Sequence, residues 1–359
     1  MSKEKLILVI NPGSTSTKVA IYKDKTEIDI RTLTHSARDL KKYPEYTDQL
    51  HLRRDAVVTY INELNIPLTS LSAIAARGGA IAGLNCGAYQ IDPTFVEACR
   101  KPLAPHVSNL AAIIAYELAC KAGIQAYVYD AVSGCGTPDD LFTLSGIPEI
   151  KRPFFSHVLN SRAVCIEQAN QDKVDLSETT YIVSHMGGGI TTNLIHGGRI
   201  VDIVGDDEGA FTPERSGGVP CRELVKLCYS GRYSEREMQI KLKGHGGMQA
   251  YLGTNDLRYV EEFIQKGDKM AELVYRAMAM QIGKDIGSLC TVAEGRVDKI
   301  ILTGGMACSK DFTALIKRRV SFIAPVSVFP GTYEMKALAW GILRVINGEE
   351  EVQLLSVLP

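Results

Sequence analysis

The chain is predicted to fold as an α/β protein of two duplicated domains with a nucleotide cleft between them. Two observations carry that prediction: an internal repeat, and the alternation of strands and helices after each copy. The first copy runs from Leu8 to Tyr22 and the second from Ile182 to His196, each an apolar strand, a small polar turn and a returning strand. Laid together without a gap, Asn11 falls on His185, Gly13 on Gly187, Thr17 on Thr191 and Ile21 on Ile195. Both copies then turn, at Lys23-Asp24 and at Gly197-Gly198, into a third strand. Self-similarity of this kind marks a duplicated architecture. Turns rich in Gly, Ser and Thr let backbone N–H groups approach a phosphate closely, and their hydroxyls add donors. Two such turns imply a nucleotide held between two lobes.

The elements follow in two blocks. After the strands of residues 6 to 22 come a third strand over Glu27 to Thr34 and a helical stretch from Leu50 to Leu64. Ala73 to Arg77 and Ala126 to Asp130 read as short buried strands around the Ala-rich helix Ser108 to Lys121, with Ser108 as its expected N-cap. The second block opens with strands Tyr181 to Met186, Ile190 to Ile195 and Arg199 to Val204, and passes into a mostly helical region containing the amphipathic run Lys269 to Ala293. Strand Lys299 to Thr303, helix Phe312 to Val320, strand Val326 to Phe329 and a last helix over Met335 to Asn347 complete it. The domains are expected to meet near Arg152, with residues 1–153 plus 335–359 in the N-terminal lobe and 154–334 in the C-terminal lobe. The lobes are expected to close over substrate about hinges there and just before Met335.

A chain of 359 residues exceeds the usual size of a single core. Charged residues are 23% of the chain and the formal net charge is −1, which leaves no basic field to attract nucleic acid or an anionic membrane. The apolar run after Lys5 is too short for a signal-peptide core, and no apolar stretch reaches bilayer length, so a cytoplasmic protein is expected. Nine cysteines, an odd number without a C-x-x-C pair, fit reduced structural thiols better than a disulfide frame or a zinc site.

Neither G-x-x-x-x-G-K-[ST] nor G-x-G-x-x-G occurs, which disfavours P-loop and dinucleotide-binding folds. The turn Thr303-Gly304-Gly305-Met306-Ala307 follows an apolar strand and offers bare backbone to a flat adenine or ribose. The hairpins Asn11 to Lys18 and His185 to Thr192, together with this turn, resemble the two phosphate motifs and the adenosine motif of the acetate and sugar kinase, Hsp70 and actin superfamily, whose domains are RNase H-like. Within it the chain is similar to the acetokinase family of acyl-phosphate-forming kinases, and most of all to its butyrate branch. The resemblance spans nearly the whole chain through A-A-R-G-G (75 to 79), A-P-H-V-S-N (104 to 109), V-Y-D-A-V (128 to 132), K-R-P-F-F-S-H (151 to 157), F-T-P-E-R-S-G-G (211 to 218), A-Y-L-G-T-N-D-L-R (250 to 258) and Y-E-M-K-A-L-A (333 to 339).

That resemblance implies reversible, in-line phosphoryl transfer from ATP to a short-chain fatty-acid carboxylate, butyrate or a branched relative, with Mg²⁺ as cofactor, in a homodimer or higher homo-oligomer. The family's active-site arginines correspond to Arg77 and Arg215, and its transition-state histidine to His157. Carboxylates acting around Mg²⁺ correspond to Asp130, directly or through water, and to Glu334. Nucleotide and phosphates are assigned to Asn11, Ser14, Thr15, Ser16, Lys18, His185, Gly187, Gly188, Gly189, Thr303, Gly304 and Gly305, and the acid's pocket to Gly79, His106, Ser156 and Pro213. Acetate kinases place a Val at the position of Gly79 and a Phe at that of Ser156. The smaller residues here are expected to leave room for further methylenes, unless neighbours such as Leu84 or Phe155 fill it. Other expectations remain open: an acetate or propionate kinase, another superfamily enzyme with an Asp or Glu base for a hydroxyl or water, or an actin-like ATPase binding module.

Overall fold

In the computed structural model, which describes residues 4–43, 45–103, 107–136 and 138–356, the chain divides into two compact units. One comprises residues 1–137 and 333–359, and the other residues 138–332. Arg152 is tied into the second of these, donating to the carbonyls of Phe142 and Ile203 and to the carboxylates of Asp202 and Glu208.

The first unit is built on β1 (Leu6–Pro12), β2 (Ser16–Lys23), β3 (Thr26–Thr34), β4 (Ala73–Arg77), β5 (Ala88–Gln90) and β6 (Gln125–Tyr129). The second contains β7 (Thr180–Met186), β8 (Ile190–His196), β9 (Arg199–Val204), β10 (Lys299–Gly304) and β11 (Val326–Pro330), and β12 (Val352–Gln353) returns to the first. The two sheets run β12-β5-β6-β4-β1-β2-β3 and β11-β10-β7-β8-β9. Within each, the first three strands form an antiparallel meander and two further strands add in parallel beside the first. The duplication read from the sequence is therefore present as topology.

The register corrects the ungapped alignment of the repeats. Pro12 pairs with Thr17, whereas Met186 pairs with Ile190, so the second turn is one residue shorter. Thr17 thus corresponds to Ile190 and Ile21 to Leu194. An irregularity between Ile21 and Tyr22 recurs between Leu194 and Ile195, at positions equivalent under the shifted alignment. A bulge retained in both copies increases local twist and helps fix the register.

Period-2 alternation divides the buried strands between two faces. Leu8, Ile10, Ile74 and Val128 join the core with helix Asn109–Ala122, while Ile7, Val9 and Ala75, also buried, point to the other face, where helix Glu334–Ile346 packs. In the second unit Ile182, Met186, Ile300 and Leu302 share a core with helix Lys269–Val292, and helix Val158–Asp172 covers the other side of β7 and β10. Helix Asn109–Ala122 ends at Gly123 with φ 68°, the usual left-handed C-cap. Ser108 does not fill the expected N-cap role: its backbone is already helical and its side chain makes no capping bond. Among the described residues no helix is long and apolar enough to cross a membrane.

Candidate functional site

In the first unit the tips of β1 and β4 and the start of the last helix bring three predicted residues together. Arg77, at the end of β4, places Nη1 2.5 Å from Glu334 Oε1, and Asn11 Nδ2 donates to Glu334 Oε2 at 2.9 Å. β1 and β4 are parallel neighbours, so residues near their C-terminal ends emerge on the same side of the sheet. The first turn closes with Gly13 N–H donating to Ser16 O, and it leaves Ser14 and Thr15 exposed and Lys18 half-buried. Asp130 follows β6 with a left-handed backbone, φ 45°, and is buried. Its Oδ1 accepts from Gly87 N–H at 2.8 Å while its own N–H donates to Gly87 O, which fixes the carboxyl group.

The expectation of vacant volume beside Gly79 is not met. A β-carbon there would overlap the side-chain oxygen of Asn109, a fully buried residue that occupies the space itself. Ser156 does not face open volume either: it is buried, with its hydroxyl 3.1 Å from Thr191 Oγ1 and 2.5 Å from Asn193 Oδ1 on β8. His106 lies outside the described residues.

In the second unit the shorter turn is gripped from one side. Gly187 N–H donates to Gly189 O, and Thr212 Oγ1 donates to Gly188 O at 2.6 Å. The Arg215 guanidinium lies so close to Gly189 that a β-carbon there would displace it. Arg215 is paired with Asp206, and burial lowers its pKa. His185, near the end of β7, stacks on His157 with ring centroids 4.1 Å apart and planes 12° from parallel. His157 Nδ1 is 2.9 Å from Thr191 Oγ1, so β8 orients the ring.

Of the Thr303-Gly304-Gly305 turn, Gly305 lines open volume. Thr303 is fully buried and accepts from Asn160 Nδ2, and Gly304, at φ 94°, passes so close to the Met186 carbonyl that any β-carbon would collide. Gly305 shares with Gly187, Gly188, Pro213, Asn255 and Arg258 the lining of a cavity of about 660 Å³. That volume is in the range of small-molecule sites. Asn255, held by Glu214 at 2.5 Å, and Arg258 were not among the predicted site residues, although both lie in the quoted 250 to 258 motif. Asp206 was also missed; nothing in its acidic stretch distinguished it before its pairing with Arg215 was visible.

Comparison with known proteins agrees with this fold. A family model described as the acetokinase family matches residues 156–322. A protein of Caldanaerobacter subterraneus subsp. tengcongensis named probable butyrate kinase 2 is 45% identical over 346 residues, 96% of this chain and 98% of that one. Butyrate kinase 2 of Clostridium acetobutylicum is 41% identical, covering 97% of this chain and 98% of the relative. Among solved structures, the acetate kinase of Porphyromonas gingivalis superposes with a TM-score of 0.79 at 18% identity, covering 95% of this chain and all of that one. A propionate kinase of Francisella tularensis superposes at 0.73 with 16% identity, covering 94% and 98% of the two chains. With the duplicated fold and near-full-length similarity in agreement, the chain belongs to the acetokinase family.

Proposed function

We propose that this protein is a carboxylate kinase that phosphorylates butyrate, or a branched acid of similar size, at the expense of ATP. The observation that carries the reading is the 45% and 41% identity, over nearly the whole chain, to proteins named as butyrate kinases. A carboxylic acid with a pKa of about 4 to 5 is already ionised at neutral pH, so its attack requires no strong base. The obstacle is repulsion between anions, which positioned cations and donors overcome.

The residues suit that task. Arg77 already carries a carboxylate, that of Glu334, and the same planar fork is suited to an acid substrate. Arg215 rests on the second turn, where its charge would stabilise the equatorial oxygens of the transferring group. His157, oriented by Thr191, would donate to that group, with His185 stacked behind it. The adenosine moiety is assigned to the cavity beside Gly305.

Asp130 and Glu334 fit a magnesium ion by their donor chemistry, since both offer only oxygen. Asp130 is held rigid by Gly87, and the Glu334 carboxylate is held in place by Arg77 and Asn11. One or two carboxylates suffice for Mg²⁺ bound mainly through phosphates and water, where it would offset phosphate charge.

The test is kcat/KM for acetate, propionate, butyrate, isobutyrate and valerate, with acyl hydroxamate as the product readout. Butyrate or isobutyrate should exceed acetate by about tenfold, the discrimination that one or two buried methylenes supply. A preference for acetate would sink the proposed selectivity while leaving carboxylate kinase activity in place.

A further inference from the structure

Among the described residues Arg53 is the largest fully buried side chain, and no carboxylate pairs with it. It lies on helix Leu50–Glu63, and every one of its donors is engaged. Nη1 donates to the carbonyls of Gly13 and Ser16, each at 2.9 Å, and to Thr17 Oγ1 at 3.2 Å. Nη2 donates to Ser14 O at 3.0 Å and to Gln49 Oε1 at 2.9 Å, and Nε donates to the same Gln49 oxygen at 3.1 Å. The remaining carbonyl of the turn, Thr15 O, accepts from His35 N–H at 2.9 Å. All four carbonyls from Gly13 to Ser16 are therefore satisfied within the protein. Among the described residues, by contrast, the N–H groups and hydroxyls of the exposed Ser14 and Thr15 meet no protein acceptor.

Acceptors engaged and donors free is the polarity of an anion-binding turn. A guanidinium gives that polarity in two ways: its fork holds the carbonyls back, and its charge adds to the field of the free N–H groups. An isolated buried cation is costly unless an anion offsets it. Burial does lower the Arg53 pKa, to about 10, yet the group stays charged at neutral pH.

We propose that Arg53 is a positioning residue for the phosphates of the nucleotide: from beneath the first hairpin it orients the turn's donors outward and supplies the positive charge that a bound phosphate balances. Lys18, half-buried on β2, is a second cation near the turn, and Gln49 sets the orientation of the fork. The inference rests on assigning the first hairpin to phosphate binding.

Two variants test it in the full-length protein. Arg53→Lys keeps the charge but replaces five fixed donors with three mobile ones. Gln49→Ala keeps the guanidinium and removes the acceptor that orients it. Each is titrated with MgATP and, separately, with adenosine, which has no phosphate, and thermal melting is followed alongside. In Arg53→Lys the dissociation constant for MgATP should rise about tenfold or more, as expected for losing charge-assisted positioning. Gln49→Ala should show a smaller rise, while adenosine affinity and cooperative melting stay as in the wild type. Unchanged MgATP affinity in folded variants overturns the proposal, and so does an equal loss for both ligands, which would mean general loosening. Should Arg53→Lys fail to fold, Gln49→Ala decides by the same criterion. If the wild-type protein binds adenosine as tightly as MgATP, it is the phosphate assignment of the hairpin that falls, independently of Arg53.

Discussion

Asn109 and Gly79 form a pair in which one residue exists at the expense of the other. Asn109 is fully buried, and among the described residues neither its amide atoms nor the Tyr46 hydroxyl beside it meets a partner in hydrogen-bond geometry, the two groups being only neighbours. Orphaned polar atoms of this kind are uncommon in native cores and carry a desolvation cost. Adding a methyl group at position 79 forces this amide to move, so Gly79→Ala should destabilise by about 1 to 3 kcal/mol, as overpacking does. Asn109→Ala opens that space and removes two unsatisfied atoms, and on its own it should cost little. The double variant should recover most of the stability lost in Gly79→Ala, a coupling measurable by thermal or urea melting of the four proteins. Additive effects would mean that the two side chains do not compete. Gly79→Val is correspondingly a probe of packing here rather than of acid selectivity.

Strands, loops and the helices beneath them show which parts of the fold could be read ahead. The buried strands beside the repeats were legible because a run such as Ile300-Ile301-Leu302 needs no partner to declare itself. The short β5 and β12 were not, since three- and two-residue strands are defined by what they pair with. Arg77, Glu334 and Asn11 were found by motif, and the structure brings them together. Arg53 was not found, because its role depends on helix Leu50–Glu63 passing under a turn 37 to 40 residues earlier. Asp285 is a similar case. On helix Lys269–Val292 it accepts from Ala210 N–H at 2.8 Å, and Gln281 accepts from Phe211 N–H, so this helix anchors the loop leading to Arg215. Burial pushes the Asp285 carboxyl up to about 6. A carboxyl that holds its proton more tightly when folded stabilises the fold below its unfolded pKa, and this contribution is lost as pH rises from about 4 through 6. Asp285→Asn keeps an oxygen for Ala210 and removes the charge. It should raise stability near pH 7 by an amount on the order of 1 to 3 kcal/mol and flatten the profile between about pH 4 and 6. A variant whose melting temperature tracks the wild type across that range would show that Asp285 is not the group responsible.

At the scale of the molecule, chain order makes one unit an insertion in the other. Residues 138–332 form the second unit as one continuous segment, whereas the first is assembled from the two flanking segments and recruits helix Glu334–Ile346 and β12 from the far end. The inserted segment has its own five-stranded sheet, with a core running from Ile182 to Ala324 in which every buried member comes from the segment itself. At 195 residues, counted as 332 − 138 + 1, it also exceeds the length at which a single core becomes self-sufficient. Expressed alone, residues 138–332 should therefore fold cooperatively. They retain the cavity beside Gly305 and the turn at Gly187, so adenosine affinity should fall within a few-fold of the whole protein's. The first hairpin, Arg77 and Glu334 are absent from the fragment, so acyl phosphate formation should be undetectable. Circular dichroism melting and adenosine titration of the excised segment check this directly. A fragment that is unfolded or fails to bind adenosine would show that the inserted unit depends on the flanking one for its fold or for its part of the site.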